Sequence, residues 1–152
     1  MQTRRQILQH SAVVAGLLAS AGLLPQPALA FNKTAFAAKT IDETLKALGA
    51  SGAPQPSDAV TLTAPDIAEN GAVVPLALAS TLPNVKQLVL LVEKNPNALV
   101  ATFNVGPDVD PSFATRAKMG ESSDVYAVAI TGDGKAYFVK KEVKVTLGGC
   151  GG

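Results

Sequence analysis

Apolar residues change their spacing twice along this chain. An uncharged, largely apolar run from Ser11 to Leu24 gives way to a Pro- and Gly-punctuated stretch over residues 31–58. Short β-type runs then occupy residues 59–147. Within 31–58, Ile41, Leu45 and Leu48 fall at i, i+4 and i+7, a narrow apolar stripe that predicts a short helix with Gly49 as its stop. Gly52, Pro54 and Pro56 mark a connection. Val60–Ala64 alternates and ends at Pro65. Asp66–Asn70 reads as a single helical turn, opened by Pro65-Asp66 and closed by Gly71. Val73–Ser80 carries Pro75, whose missing N–H confines that strand to an edge or a bulge. Val85–Val92 is strongly apolar, Asn95-Pro96-Asn97 turns the chain, and Leu99–Val105 follows. Gly106-Pro107-Asp108 and Asp110-Pro111 open a longer loop. Val125–Thr131 and Ala136–Lys141 flank Gly132-Asp133-Gly134, the clearest hairpin signal. Val143, Val145 and Leu147 alternate with Lys144 and Thr146 as a half-buried final strand. Six or seven short strands predict a mainly β domain, an immunoglobulin-like antiparallel β-sandwich with a short N-terminal helix. A barrel is the competing arrangement.

The first thirty residues carry a different message. Thr3-Arg4-Arg5-Gln6-Ile7-Leu8 is basic, Ser11–Leu24 is apolar, and Ala28-Leu29-Ala30 is a small-residue cleavage site. These are the three parts of a secretory signal peptide. The adjacent arginines point to the twin-arginine route and a periplasmic destination. The apolar run falls short of the ~20 residues needed to span a bilayer. The expected division is a signal peptide over 1–30, a linker with a short helix over 31–58, a β-sandwich over 59–147 and an arm over 148–152.

Composition then narrows the chemistry. The chain has 13 Lys and Arg against 12 Asp and Glu. That balance gives no basic footprint for nucleic acid. Cleavage after Ala30 would remove Arg4, Arg5 and His10, leaving a net charge of −1 and no histidine. Without imidazole there is no Ser-His-Asp triad, no Cys-His pair and no histidine-based metal or haem site. The single cysteine cannot form an internal disulfide or a multi-cysteine zinc site. No cofactor and no metal site is expected. Asp66, Glu69 and Asn70 are read as turn residues, and Asn95-Pro96-Asn97 as a turn. Lys140, Lys141 and Lys144 are read as a solvated strand face, with attraction of anions as the alternative. Met119 is too isolated to serve as a haem ligand.

The remaining chemistry sits at the tail. The final strand runs into Gly148-Gly149-Cys150-Gly151-Gly152. Glycine loses more backbone entropy on ordering than any other residue, so this segment predicts a flexible arm. Free cysteines are usually buried, and one flanked by glycines has no side chains to pack against. A low thiol pKa needs a nearby cation, a helix N-terminus or a second cysteine. Lys144 lies six residues back, and the carboxylate of Gly152 would disfavour ionisation. Cys150 is therefore read as a thiol presented to other enzymes, in a carrier rather than an enzyme.

Lys141 to Gly152, ending in the GGCGG motif, resembles the C-terminus of the SoxY family, the carrier subunits of bacterial sulfur oxidation. Ala64-Pro65-Asp66-Ile67-Ala68-Glu69-Asn70-Gly71, Val74-Pro75 and Glu93-Lys94-Asn95-Pro96 are similar to that family's internal motifs, whereas residues 108–123 match only loosely. The resemblance implies an immunoglobulin-like sandwich paired with a second small subunit, SoxZ. It also implies that Cys150 carries thiosulfate-derived sulfur in the periplasm, with Gly148, Gly149, Gly151 and Gly152 supplying arm flexibility. The implied partners are a c-type cytochrome that loads the thiol, a hydrolase that releases sulfate and, in organisms that have it, a molybdenum–haem dehydrogenase. Two other functions compete: a carrier that loads the carboxylate of a terminal Gly-Gly, and a non-catalytic β-sandwich adhesion or assembly module.

Overall fold

The computed structural model describes residues 32–147. The predicted leader over residues 1–30 lies outside the described residues, and so do Gly148, Gly149, Cys150, Gly151 and Gly152.

Two short helices open the described chain, α1 over Lys33–Ala37 and α2 over Ile41–Ala47. Asn32 Oδ1 accepts the Ala35 N–H at 3.0 Å, and Thr40 Oγ1 accepts the Glu43 N–H at 3.3 Å. Each cap occupies a donor that the first turn cannot pair within the helix. Gly49, at φ +88°, ends the second helix as its position predicts. The sequence pattern predicts one helix here; the first leaves no stripe because its five residues carry only Phe36 as a large apolar side chain.

Nine strands follow. They are β1 (Gln55–Pro56), β2 (Val60–Thr63), β3 (Ile67–Ala68), β4 (Val74–Ser80), β5 (Val85–Val92), β6 (Leu99–Asn104), β7 (Ser112–Ala117), β8 (Ser123–Thr131) and β9 (Ala136–Val145). One sheet has the order β1-β9-β8-β5-β6, with β3 also pairing β9; the other has the order β2-β4-β7. The two sheets face each other as an immunoglobulin-like sandwich, and neither closes into a barrel. Between them lie Val60, Leu76, Leu78, Leu88, Leu90, Val92, Met119, Val125, Ala127, Ala129 and Val143. The other face of the larger sheet carries Val89, Leu91, Val128, Ile130 and Ala136, packed with Ala35 and Leu45 of the helices. From Leu88 to Val92 β5 is thus buried on both faces, which is why that part of its sequence is a continuous apolar run rather than an alternation.

Four expectations need correction. Asp66–Asn70 is not a helical turn: Ile67 and Ala68 pair in parallel with Lys144 and Val145. The stretch after Pro111 is not all loop, because Ser112–Ala117 pairs with β4 from Ala79↔Ser112 to Val74↔Ala117. The two strands expected over 136–147 are one, running unbroken through Lys140-Lys141-Glu142. Finally, β4 is the central strand of its sheet despite Pro75. β2 stops at Thr63, opposite Ala77, so Pro75 has a neighbour only on the β7 side, opposite Arg116. A proline's missing donor is best tolerated on such an overhang.

A candidate carrier-arm root at the end of β9

β9 delivers the chain to residue 147, and its two long edges are treated differently. On one side β8 pairs along it from Ile130↔Ala136 to Ser123↔Val143. On the other, β1 covers Tyr137 and Phe138, and β3 covers Lys144 and Val145, both in parallel. These short parallel pieces shorten the open edge of β9 to residues 139–143 among the described residues.

The β3 piece forms a strap. Lys144 N–H donates to Asp66 O at 3.0 Å and Thr146 N–H to Ala68 O at 3.1 Å, while Gly71 N–H donates to Leu147 O at 2.8 Å. Thr146 Oγ1 adds a bond to Glu69 O at 3.0 Å. Asn70 Oδ1 accepts the Ala72 N–H at 2.9 Å, a local turn that folds the chain back after the strap. The loop after β7 closes the other side. Met119, fully buried, donates its N–H to Gly71 O at 2.7 Å, and Ser122 Oγ accepts the Val145 N–H at 2.9 Å. Asn95 ties that loop to the turn after β5, donating from Nδ2 to Lys118 O at 2.8 Å. The backbone is therefore held from two sides up to Val145, and by the strap at Thr146 and Leu147.

The charges here are mostly committed. Lys140 Nζ lies 2.7 Å from Asp124 Oδ2 and 5.8 Å from the centre of the Tyr126 ring. Its pKa is raised, chiefly by the hydrogen bond to Asp124. Tyr126 is pushed up by burial and then by Glu93. Lys141 crosses to the strap, donating to Ala64 O at 2.6 Å and pairing with Asp66 Oδ1 at 2.9 Å. Among the described residues, Lys144 is the one member of the lysine trio without an ion pair; it is exposed and in register with Ile67. A concerted anion-attracting face of three lysines is thus not assembled. Asp66, Glu69 and Asn70 do not converge as ligands either: their roles in the strap are an ion pair, a backbone acceptor and a turn.

An apolar hollow elsewhere is bounded by Ile41, Leu45, Pro54, Tyr126, Val128 and Phe138 between α2 and the larger sheet. Sequence reasoning names Gly71 only as the stop of a turn, Met119 only as too isolated for a haem ligand and Thr146 only as a polar strand position, and does not single out Ser122. No periodic signal marks them, since their bonds join residues far apart in the chain.

Comparison with known proteins bears on this arrangement. A family model described as sulfur oxidation protein SoxY matches residues 45–150. The solved sulfur carrier protein SoxY from Chlorobium limicola f thiosulfatophilum is 34% identical, with a TM-score of 0.64 over 71% of this chain and 97% of that one. A superoxide reductase (neelaredoxin) from Ignicoccus hospitalis is 18% identical, with a TM-score of 0.50 over 57% of this chain and 78% of that one. A putative superoxide reductase from Thermotoga maritima is 11% identical, with a TM-score of 0.51 over 60% and 93% of the two chains. These last two share the fold alone. No curated protein matches.

Proposed function

This chain belongs to the SoxY family of sulfur-oxidation proteins, and on that premise we infer that it is a periplasmic carrier holding thiosulfate-derived sulfur on Cys150. The observation that carries the reading is that the family match runs through residue 150. The clamped end of β9 supports it by giving the thiol a fixed point of departure.

Loading joins the Cys150 sulfur to the outer sulfur of thiosulfate. The new S–S bond forms with loss of the thiol proton and of two electrons, which pass to a c-type cytochrome partner. Hydrolysis then adds water across the terminal S–S bond, so that sulfate leaves with two protons and a persulfide anion stays on Cys150. The chain contributes reach and presentation, and the partners supply activation. Lys144, the nearest described cation, is separated from Cys150 by five residues, and no histidine survives cleavage after Ala30. In this reading Gly148, Gly149, Gly151 and Gly152 let a narrow arm enter recessed sites. SoxZ is the permanent partner. The hydrolase, the cytochrome and, where present, a molybdenum–haem dehydrogenase are transient ones. Export follows the twin-arginine route: Arg4→Lys with Arg5→Lys should leave precursor in the cytoplasm, and normal processing would refute that route.

The test is Cys150→Ser, which keeps the size of the side chain but removes its thiolate. It should abolish thiosulfate-dependent oxygen uptake in a reconstituted system while leaving the fold intact. Peptide mass spectrometry after turnover should place reducible sulfonate-bearing additions on Cys150. Cargo on the Gly152 carboxylate, or sulfate release by the Ser variant, would overturn the reading.

A further inference from the structure

We propose that Asn70 is a latent modification site, whose side-chain amide is lost to water through ring closure with the Gly71 nitrogen whenever the bond from Gly71 to Leu147 is open. The inference is independent of what Cys150 carries and concerns the folded end of β9.

Asn70-Gly71 is the one Asn-Gly pair in the chain. With no Cβ on the residue that follows, nothing shields the approach of its nitrogen to the Asn70 side chain. Asn70 is exposed, so water reaches it. Its Oδ1 accepts the Ala72 N–H at 2.9 Å. A donor on that oxygen stabilises the charge that develops there when the amide carbon is attacked. The electrophile is thus primed, and the nucleophile is guarded. Gly71 N–H donates to Leu147 O at 2.8 Å, and Gly71 O accepts the Met119 N–H at 2.7 Å. Ring closure needs the Gly71 nitrogen stripped of its proton and turned onto Asn70 Cγ. Held by Leu147, it is neither.

The reaction transfers no electrons. Gly71 N bonds to Asn70 Cγ and gives up its proton, and the side-chain nitrogen leaves with that proton as ammonia. Water then opens the cyclic imide at either carbonyl, returning a hydrogen to Gly71 N and leaving a carboxylate and a released proton. If the bond to Cγ breaks, position 70 becomes aspartate. If the bond to the main-chain carbonyl breaks, the backbone runs through the former side chain and gains a carbon atom. The strap depends on the spacing there: Glu69 O accepts from Thr146 Oγ1 at 3.0 Å while Gly71 N–H meets Leu147 O. An extra main-chain carbon between residues 69 and 71 breaks that match, and both products add a negative charge beside Glu69. Modified chains therefore hold the end of β9 less firmly, and their share grows with the time the clasp spends open.

The experiment incubates the full chain in heavy-oxygen water and follows, by peptide mass spectrometry, label entering at position 70. The same chain unfolded in urea gives the unguarded rate. Label should enter the folded chain at least about tenfold more slowly, because reaction through an open state follows that state's population. Thr146→Val keeps a β-branched side chain and removes the hydroxyl bond to Glu69 O. It should speed labelling about fivefold, the factor set by one hydrogen bond of about 1 kcal/mol. Lys141→Met, which frees the strap at Ala64 and Asp66, should move the rate in the same direction. In every folded form labelling should rise with pH, since the attacking nitrogen must lose its proton. Amide exchange at Gly71 should quicken in the aged protein. Equal rates in the folded and unfolded chain overturn the proposal, because the bond to Leu147 would then guard nothing. An unchanged rate in both strap variants overturns it too, as does label confined to Asn84, Asn97 or Asn104. The Cys150→Ser variant should label at the wild-type rate, so failure of the carrier reading leaves this result untouched.

Discussion

Lys141→Met isolates what holds the strap against β9. Methionine keeps an unbranched apolar stem and removes the ammonium, so two contacts disappear: the bond to Ala64 O at 2.6 Å and the pair with Asp66 at 2.9 Å. They differ in worth. The Asp66 side chain is 89% exposed, and a pair so open to water contributes about 0.2–1 kcal/mol. Ala64 is buried, so its carbonyl has little water to turn to. Leaving such an acceptor unpaired costs about 1–3 kcal/mol. The expected loss is about 2 kcal/mol, read as a fall of roughly 1 M in the urea midpoint. Asp66→Asn, which spares the carbonyl bond, should cost less than about 0.5 kcal/mol, and that cost should vanish in ~0.5 M salt. Amide exchange should quicken at Lys144 and Thr146, whose N–H groups bond the strap. If Asp66→Asn destabilises as much as Lys141→Met, or salt erases both effects equally, the surface pair and not the buried carbonyl is what Lys141 serves.

Further outcomes follow from other parts of the fold. Gly134→Ala meets two obstacles, φ at +83° and a new Cβ 2.9 Å from Ser51 Oγ, and should lower stability by about 1–2 kcal/mol in thermal melts. Leu90→Ala removes a fully buried side chain between the sheets and should cost about 2–5 kcal/mol by urea denaturation; a cost below 1 kcal/mol would contradict that packing. The Asp133 pKa is lowered to about 2, first by the Thr131 hydroxyl and then by Lys135. A depressed carboxylate stabilises the fold above its unfolded value, near 3.9, and the effect fades as pH falls toward 2. Asp133→Asn should therefore flatten the stability profile between about pH 4 and pH 2; an unchanged slope there would refute the assignment.

How much of this could be read from the sequence depends on where the deciding contacts lie. Val85–Val92 is legible because large aliphatics fill both faces from Leu88 onward, and Gly132-Asp133-Gly134 announces its hairpin through local backbone geometry. Ser112–Ala117 escaped because Phe113 is its one large apolar side chain. The ring of Phe103, stacked on it at 4.6 Å between centroids, comes from a strand of the other sheet. Pro65-Asp66 followed by Gly71 is locally as good for a helical turn as for a strap. The choice falls to hydrogen bonds with residues almost eighty positions later, which no local pattern carries. Lys140-Lys141-Glu142 looked like an interruption because three charges sit in mid-strand. Lys141 instead extends its apolar stem along the sheet and places its charge on the strap. Cys150 was legible only as chemistry, through its neighbours and its resemblance to a family.

The pairing of β9 also has a mechanical consequence. A partner that grips the chain beyond Leu147 pulls along the axis of β9, and the hydrogen bonds to β8 run across that axis. A tug in that direction strains the whole ladder together, in shear, instead of opening its bonds one after another as a zipper would. The strap bonds at Asp66, Ala68 and Gly71 share the same strain from the opposite edge. Tension applied at the tip is thus spread over the sheet before any single bond is asked to break, and a tether can be drawn taut repeatedly without unravelling the strand that anchors it.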